Sequence, residues 1–374
     1  MMIKSDKKRA VQHTEIVQDG GITGGTFFYS RLVLLLLLVF FSTASLSQST
    51  TSPHHVFLAP EKTSLPCPNE KIAFDFQLDS PATEAIKSFW MMWFTMRTFS
   101  SDDPATEAEL RAIGFNRFQK FNNSLSGLQA YLAGSDQALI LAFRGSTQAI
   151  DWVIDANMGM IDAQALGISG KVHHGFSYQF RSEWKRINQA IDLWVRPNTP
   201  IFVTGHSLGG ALATMAAYKL AKEGYPVAGL YSFAAPRSGD KTYASDGNRL
   251  LSGRSLRVIN DRDLIARYPP RAESLGWISD ILNLGKKNPL QRWLEFRTSY
   301  AHEGRLLIFN HEGTPIEIED ADLSDDLHIW SSLAKLSKWR GIIRLFSETA
   351  EKQKYLHDEK TYLCLMNRYR KSLE

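Results

Sequence analysis

The sequence predicts an α/β fold in which helices cover both faces of a mostly parallel sheet. Short, continuously apolar strands alternate with helices along the chain, as strands buried on both faces of a parallel sheet require. The strand 201–204 continues through Gly205-His206-Ser207-Leu208-Gly209 directly into a helix rich in small residues. A serine on such a turn sits on a strained backbone with its hydroxyl clear of the sheet.

Length and composition exclude several classes of protein. The chain has 374 residues, of which 44% are apolar and 22% charged, so it has enough apolar residues for a sizeable core. Its net charge is only +4 and no long basic tract follows residue 60, which excludes a nucleic-acid-binding protein. No internal repeat and no His/Cys cluster with metal-ligand spacing is found. We therefore predict neither a metal nor a cofactor.

The N-terminal segment 1–55 differs in composition from the rest of the chain. Basic residues at its start precede the apolar run Leu32–Phe41 and the small residues 42–47, which is the layout of a secretory signal. The apolar run is shorter than the span of about 20 residues that crosses a membrane. An uncleaved signal-anchor is the alternative, because the leader is long. We expect a single domain over residues 56–374, secreted or membrane-anchored outside the cytoplasm.

The predicted elements follow in the order that the fold needs. The first helix, Thr83–Phe99, is so apolar that it should pack in the core. The remaining elements are strands at 128–132 and 138–143, a helix at 179–195, a strand at 201–204, a helix at 208–221, and strands at 228–233, 256–259 and 305–309.

Ser207 needs a base to take its proton and an acid to hold that base. In this architecture the acid and then the base follow the nucleophile along the chain. Asp261 and Asp263 both stand just past the strand 256–259. The histidines that follow are His302, His311, His328 and His357. Spacing alone favours His357, which precedes a C-terminal helix, without excluding the others.

The N–H of Leu208 begins the helix and points to where negative charge develops on an attacked carbonyl. Two cysteines, Cys67 and Cys364, lie near the two ends of the expected mature chain. In an oxidising compartment they are able to form a disulfide, which would stabilise the fold by about 5 kcal/mol in the chain-entropy model. Two separate buried thiols are the alternative.

Five ordered motifs resemble those of the class 3 lipases, the fungal-lipase-like α/β-hydrolases, over residues 115–364. They are Phe143-Arg144-Gly145-Ser146, Asp151-Trp152, Val172-His173-His174-Gly175-Phe176, the run 205–210, and the run 233–240. The resemblance implies the α/β-hydrolase fold and a triad of Ser207, Asp263 and His357, with His302 outside it. It also places Ser146 with Leu208 in an oxyanion hole and supports the Cys67–Cys364 disulfide. The run Ala149–Ile161 reads as a short helix, which the resemblance implies is a lid; an ordinary buried helix is the alternative.

The sequence departs from the family pattern at Ala235 and Ser238, where Gly and Val are more usual. The stretch from Asp263 to His357 is also long, with insertions at about 272–298 and 312–350. Within the second insertion, Leu327–Phe346 reads as a basic amphipathic helix with Trp on its apolar side. Such a helix either docks on a membrane surface or packs on the domain.

The sequence therefore predicts a serine carboxylic ester hydrolase that meets its lipid or ester substrate at an oil or membrane interface. A triacylglycerol lipase is the favoured activity, with phospholipase A1 or another carboxylesterase as alternatives. A non-catalytic, membrane-binding member of the fold is a further alternative, although every expected triad residue type is present.

Overall fold

The computed structural model describes residues 81–146, 159–261, 263, 265–269, 299–310, 313–318 and 354–373. The chain separates into two units, Met1–Thr51 and Ser52–Glu374, and all described residues belong to the second. Several predicted features lie outside the described residues: the N-terminal segment 1–55, Cys67, residues 149–158, the insertion 272–298, His311, and the helix 327–346 with His328.

The helices are α1 (Pro81–Arg97), α2 (Asp103–Ala112), α3 (His174–Trp194), α4 (Leu208–Lys222), α5 (Lys241–Leu251) and α6 (Glu359–Ser372). The strands are β1 (Arg117–Asn122), β2 (Gln129–Gly134), β3 (Leu139–Phe143), β4 (Met160–Asp162), β5 (Lys171–His173), β6 (Ile201–His206), β7 (Val227–Phe233), β8 (Gly239–Asp240), β9 (Ser255–Asn260), β10 (Tyr300–Ala301), β11 (Arg305–Phe309) and β12 (Pro315–Ile318). None of the helices in the described ranges is long and apolar enough to cross a membrane.

The main sheet has eight strands in the order β1-β2-β3-β6-β7-β9-β11-β12. Its five central strands, from β3 to β11, run parallel, whereas β1, β2 and β12 are added antiparallel at the two edges. The expected α/β-hydrolase fold with a mostly parallel sheet is therefore confirmed, with antiparallel edges. A small second sheet has the order β10-β8-β5-β4.

Alternate residues of the central strands pack into two separate hydrophobic cores, one on each face of the sheet. Leu141 and Val203 pack into the core that contains the buried sides of α3 and α4. Their neighbours Ile140 and Phe202 pack into the opposite core, with α1 and α6. Because side chains alternate across a strand, a strand with a core on each face must be apolar throughout, as predicted.

The structure also corrects several expectations about individual elements. Helix α3 begins at His174, before the predicted residue 179, because the Nδ1 atom of His173 accepts the N–H of Phe176 at 3.3 Å and caps the helix. Met160 and Ile161 were expected at the end of a helix, and this was wrong, since they pair in β4 with β5. Strand β12 extends the main sheet from within the predicted insertion 312–350.

Candidate active site

Ser207 stands at the turn between the central strand β6 and helix α4. Its backbone has φ 57° and ψ −131°, in a region that residues other than glycine rarely adopt. The Ser207 N–H donates to the carbonyl oxygen of Phe233 on the neighbouring strand at 2.8 Å, which ties the turn to β7. This is the strained strand-to-helix turn that the motif predicts.

Glycines on both sides of Ser207 allow this turn to form. A β-carbon on Gly205 would lie 2.2 Å from the carbonyl oxygen of Gly209. A β-carbon on Gly209 would lie 2.4 Å from the carbonyl oxygen of Phe143 at the end of β3. Neither position therefore tolerates a side chain.

The structure brings three of the predicted site residues into one hydrogen-bonded chain. The Nε2 atom of His357 lies 2.7 Å from Ser207 Oγ, and its Nδ1 atom lies 2.8 Å from Asp263 Oδ2. Ser207, Asp263 and His357 expose only 1%, 0% and 6% of their surface, respectively. An imidazole held between a hydroxyl and a buried carboxylate in this way is arranged to take the hydroxyl proton.

The carboxylate of Asp263 is held by donors on both oxygens. Its Oδ1 atom accepts the N–H of Ile265 at 2.9 Å and that of Ala266 at 3.4 Å. Its Oδ2 atom accepts the hydroxyl of Tyr362 at 2.8 Å in addition to its contact with His357. Burial, followed by the nearby Asp263 charge, raises the pKa of Tyr362 well above its usual value, so this hydroxyl remains a donor.

Tyr362 is a site residue for which sequence reasoning assigned no role. Its hydroxyl oxygen also accepts the backbone N–H of Asn260 at 2.8 Å, and the side chain is fully buried. The hydroxyl thus bridges the end of β9 to the Asp263 carboxylate. The available signal was the position of this tyrosine, five residues after the candidate base His357.

Asp261, the other candidate acid, has a different partner. Its Oδ1 atom accepts the guanidinium of Arg267 at 3.2 Å. Arg237 anchors the same loop, since its backbone N–H donates to the carbonyl of Tyr268 at 2.7 Å and its Nη1 to that of Pro269 at 2.8 Å. The two arginines therefore hold the loop that presents Asp263.

His302 follows β10 and does not join the Ser207 chain in the structure. Burial, followed by the positive charges of Arg257 and Arg237, lowers the pKa of His302 well below its usual value. The imidazole lies beside the backbone of Ala266, so His302 contacts the loop that presents Asp263.

A further histidine, His206, precedes Ser207 directly, and sequence reasoning assigned it no role. Its ring centroid lies 4.8 Å from that of His357 and 5.5 Å from that of Tyr362. Burial, followed by the neighbouring His357, lowers the pKa of His206 well below its usual value. The neutral ring packs against the imidazole that contacts Ser207.

The residues expected to hold an oxyanion flank Ser207. A β-carbon on Gly145 would lie 3.1 Å from the Ser207 Cβ, so the chain after β3 passes directly beside the serine, and half-buried Ser146 follows. Leu208 is the first residue of α4, and N–H groups of a first helical turn have no partner within the helix. Across the described ranges, no group of three or more His, Cys, Asp or Glu is placed to hold a metal ion.

Comparisons with known proteins point to one family. Residues 140–273 match the family described as Lipase (class 3). Secreted mono- and diacylglycerol lipase 1 of Fusarium solani is 32% identical over 149 residues, 39% of this chain and 44% of the relative. Phospholipase A1-II 6 of Oryza sativa subsp. japonica is 30% identical over 166 residues, 35% of this chain and 40% of the relative.

Among solved structures, the mono- and diacylglycerol lipase from Aspergillus oryzae is similar with a TM-score of 0.51 and 19% identity, covering 67% of this chain and 91% of that one. At this identity the likeness shows the fold alone. The chain spans less than half the length of the two curated relatives above.

Proposed function

We propose that the chain is a serine ester hydrolase of the class 3 lipase family, which its residues 140–273 match, and that it acts on lipids. The observation that carries the proposal is the continuous hydrogen-bonded chain from Ser207 Oγ through His357 to Asp263. The nucleophile, base and acid of acyl transfer need this order and these distances.

In the proposed first half-reaction, Ser207 Oγ attacks the ester carbonyl while Nε2 of His357 takes its proton. Asp263 keeps Nδ1 of the imidazole protonated and stabilises the imidazolium that forms. The carbonyl oxygen becomes an oxyanion that accepts the N–H groups of Ser146 and Leu208, and losing one such donor typically costs about 3 kcal/mol of transition-state stabilisation. The C–O bond breaks, and the alcohol leaves with the proton from His357.

In the second half-reaction, water releases the fatty acid from Ser207. His357 takes a proton from the water as it attacks the acyl-enzyme, and the same two N–H groups hold the second oxyanion. The acyl–oxygen bond to Ser207 then breaks, and the serine recovers its proton from His357. The proton that Ser207 loses to the alcohol in the first half-reaction is thus replaced by a proton from the water.

We propose acylglycerols as the substrate class, with triacylglycerols as the favoured member. The names of the fungal relatives, mono- and diacylglycerol lipases, support an acylglycerol ester. Phospholipid is the second candidate, because relatives of similar identity are named phospholipase A1. Both substrates present an ester carbonyl at a lipid–water interface.

We propose that the chain is secreted or membrane-anchored outside the cytoplasm, with residues 1–55 as its signal or signal-anchor and residues 56–374 as one domain. A relative named as secreted supports this location. Cys364 lies in α6, and Cys67 is the chain's other cysteine. The proposed Cys67–Cys364 disulfide fits an oxidising compartment.

The test is fatty-acid release by the full chain from a triacylglycerol emulsion and from phosphatidylcholine vesicles in parallel. We expect Ser207→Ala to lower release by at least about a thousandfold, whereas Ser169→Ala, a change at an exposed loop serine, leaves it unchanged. Release mainly from vesicles would identify a phospholipase. A Ser207→Ala protein with more than a tenth of the parent activity would exclude this serine as the nucleophile.

A further inference from the structure

An exposed surface at the active-site edge of the main sheet combines apolar side chains with positive charges that form no ion pair among the described residues. It consists of Leu125 in the β1–β2 turn and of Tyr178, Arg181 and Lys185 on α3, and we call it the turn–helix surface. Leu125 is 91% exposed and Tyr178 is 59% exposed. Single exposed apolar residues are ordinary, so the case depends on what surrounds these two.

The turn and the helix form one surface because the turn packs along α3. Asn123 Nδ2 donates to Glu183 Oε1 at 3.1 Å, and Ser126 Oγ lies 2.7 Å from Ser182 Oγ. Tyr178 is four residues before Ser182, and residues with this spacing are neighbours on one helix face. Leu125 and Tyr178 therefore flank the same contact.

Strand register places this surface at the active-site edge of the main sheet. Phe121 pairs with Ala130, Ala130 with Phe143, and Phe143 with Gly205. The β1–β2 turn continues past this row on the side where β6 runs into Ser207. A lipid layer that contacts Leu125 would therefore face the edge at which the nucleophile lies.

The exposed face of α3 is positively charged along this stretch. Arg181 and Lys185 are exposed, and neither takes part in an ion pair among the described residues. The acid within this stretch, Glu183, is 5% exposed and pairs with Arg186 at 2.8 Å. Exposed positions from His174 to residue 189 thus carry positive charge and no exposed carboxylate.

We propose that the turn–helix surface docks the protein on a lipid surface with anionic phosphate headgroups. This inference rests on the proposed lipid hydrolase function and adds a fixed docking site to it. Leu125 and Tyr178 enter the headgroup layer, where amphipathic aromatic and apolar side chains are favoured. Arg181 and Lys185 attract the phosphates, each strengthening binding about fivefold near an anionic surface.

The binding test uses the full chain with Ser207→Ala, which leaves the vesicles intact. Co-sedimentation is measured with phosphatidylcholine vesicles that contain or lack phosphatidylglycerol. Two double variants are compared, Leu125→Ser with Tyr178→Ser and Arg181→Glu with Lys185→Glu. The matched control is Leu193→Ser. Leu193 is 81% exposed but lies about 22 Å from Tyr178 along α3, at a rise of about 1.5 Å per residue.

We expect the parent to prefer the anionic vesicles and each double variant to bind them at least about tenfold more weakly, with the control unchanged. Salt should weaken binding of the parent. Parent-like binding by both double variants would overturn the proposal. Loss of a dimer by the same variants in vesicle-free sedimentation would also overturn it, because the occupant would then be a second copy of the chain.

Hydrolysis of a soluble short-chain ester separates this inference from the proposed function. In the background that retains Ser207, we expect the double variants to keep the parent kcat/KM on the soluble ester and to lose activity on anionic vesicles. A parent that hydrolyses no ester would refute the proposed function. A parent that hydrolyses the soluble ester, with double variants that keep full vesicle activity, would refute the docking surface alone.

Discussion

Removal of the Tyr362 hydroxyl tests how the Asp263 carboxylate is held. The hydroxyl donates to Asp263 Oδ2 and accepts the N–H of Asn260, both at 2.8 Å. Tyr362→Phe keeps the ring in its fully buried position and deletes both hydrogen bonds. Asp263 then retains His357 as the partner of that oxygen, with its orientation less constrained.

The magnitude follows from these two bonds. A hydrogen bond to a charged group contributes about 1.5–3 kcal/mol, and each 1.36 kcal/mol of barrier changes a rate about tenfold. We expect kcat to fall about ten- to a hundredfold with KM nearly unchanged, because the carboxylate acts on the imidazolium that forms in the transition state. The free energy of unfolding should fall by about 1–3 kcal/mol, since the Asn260 N–H is left buried without a partner.

The assay is steady-state hydrolysis of a soluble ester together with urea unfolding. Tyr369→Phe is the matched control, because Tyr369 lies on the same helix, is 5% exposed and donates its hydroxyl to Glu317, away from Ser207. The control should lose stability but keep kcat. A Tyr362→Phe protein with the parent kcat would show that the hydroxyl does not position Asp263.

Two further predictions concern histidines. His357→Ala should abolish ester turnover, whereas His302→Ala should lower the free energy of unfolding and retain measurable turnover. Steady-state kinetics and urea unfolding of both variants check this. Loss of turnover in His302→Ala alone would make His302 the base. Burial lowers the pKa of His173 to about 4. As the pH falls, the unfolded chain therefore takes up a proton at this histidine near its usual pKa of 6.5, before the folded chain does. The free energy of unfolding thus falls below pH 6.5, by about 2 kcal/mol at pH 5. Urea unfolding at pH 7.5 and 5 measures this loss of free energy. His173→Asn, which keeps a side chain able to cap α3, should reduce the loss. An equal loss in that variant would assign the pH dependence to another group.

Local patterns in the sequence predicted many of the strands and helices of the fold. Strand 305–309 was predicted with the bounds that the structure has, because a continuous apolar run between turn residues needs no distant information. The start of α3 was wrong, since its cap is the His173 imidazole, and histidine is not among the side chains usually expected at that position. The short strand β4 was missed because it forms by pairing with β5, and no local apolar pattern in the sequence indicates that pairing.

The sequence by itself determined which serine stands on the strained turn and why glycine must flank it, because strand, turn and helix are contiguous in the chain. Spacing left Asp261 and Asp263 equal as candidate acids, and it favoured His357 as the base without excluding the other three histidines. Resemblance to a family then favoured Asp263 and His357. Tertiary structure decided which groups meet, since His357 lies 94 residues from Asp263 and 150 from Ser207 along the chain. Contacts of that range depend on the packing of α6 against the sheet, and so does the placement of the Tyr362 hydroxyl on Asp263.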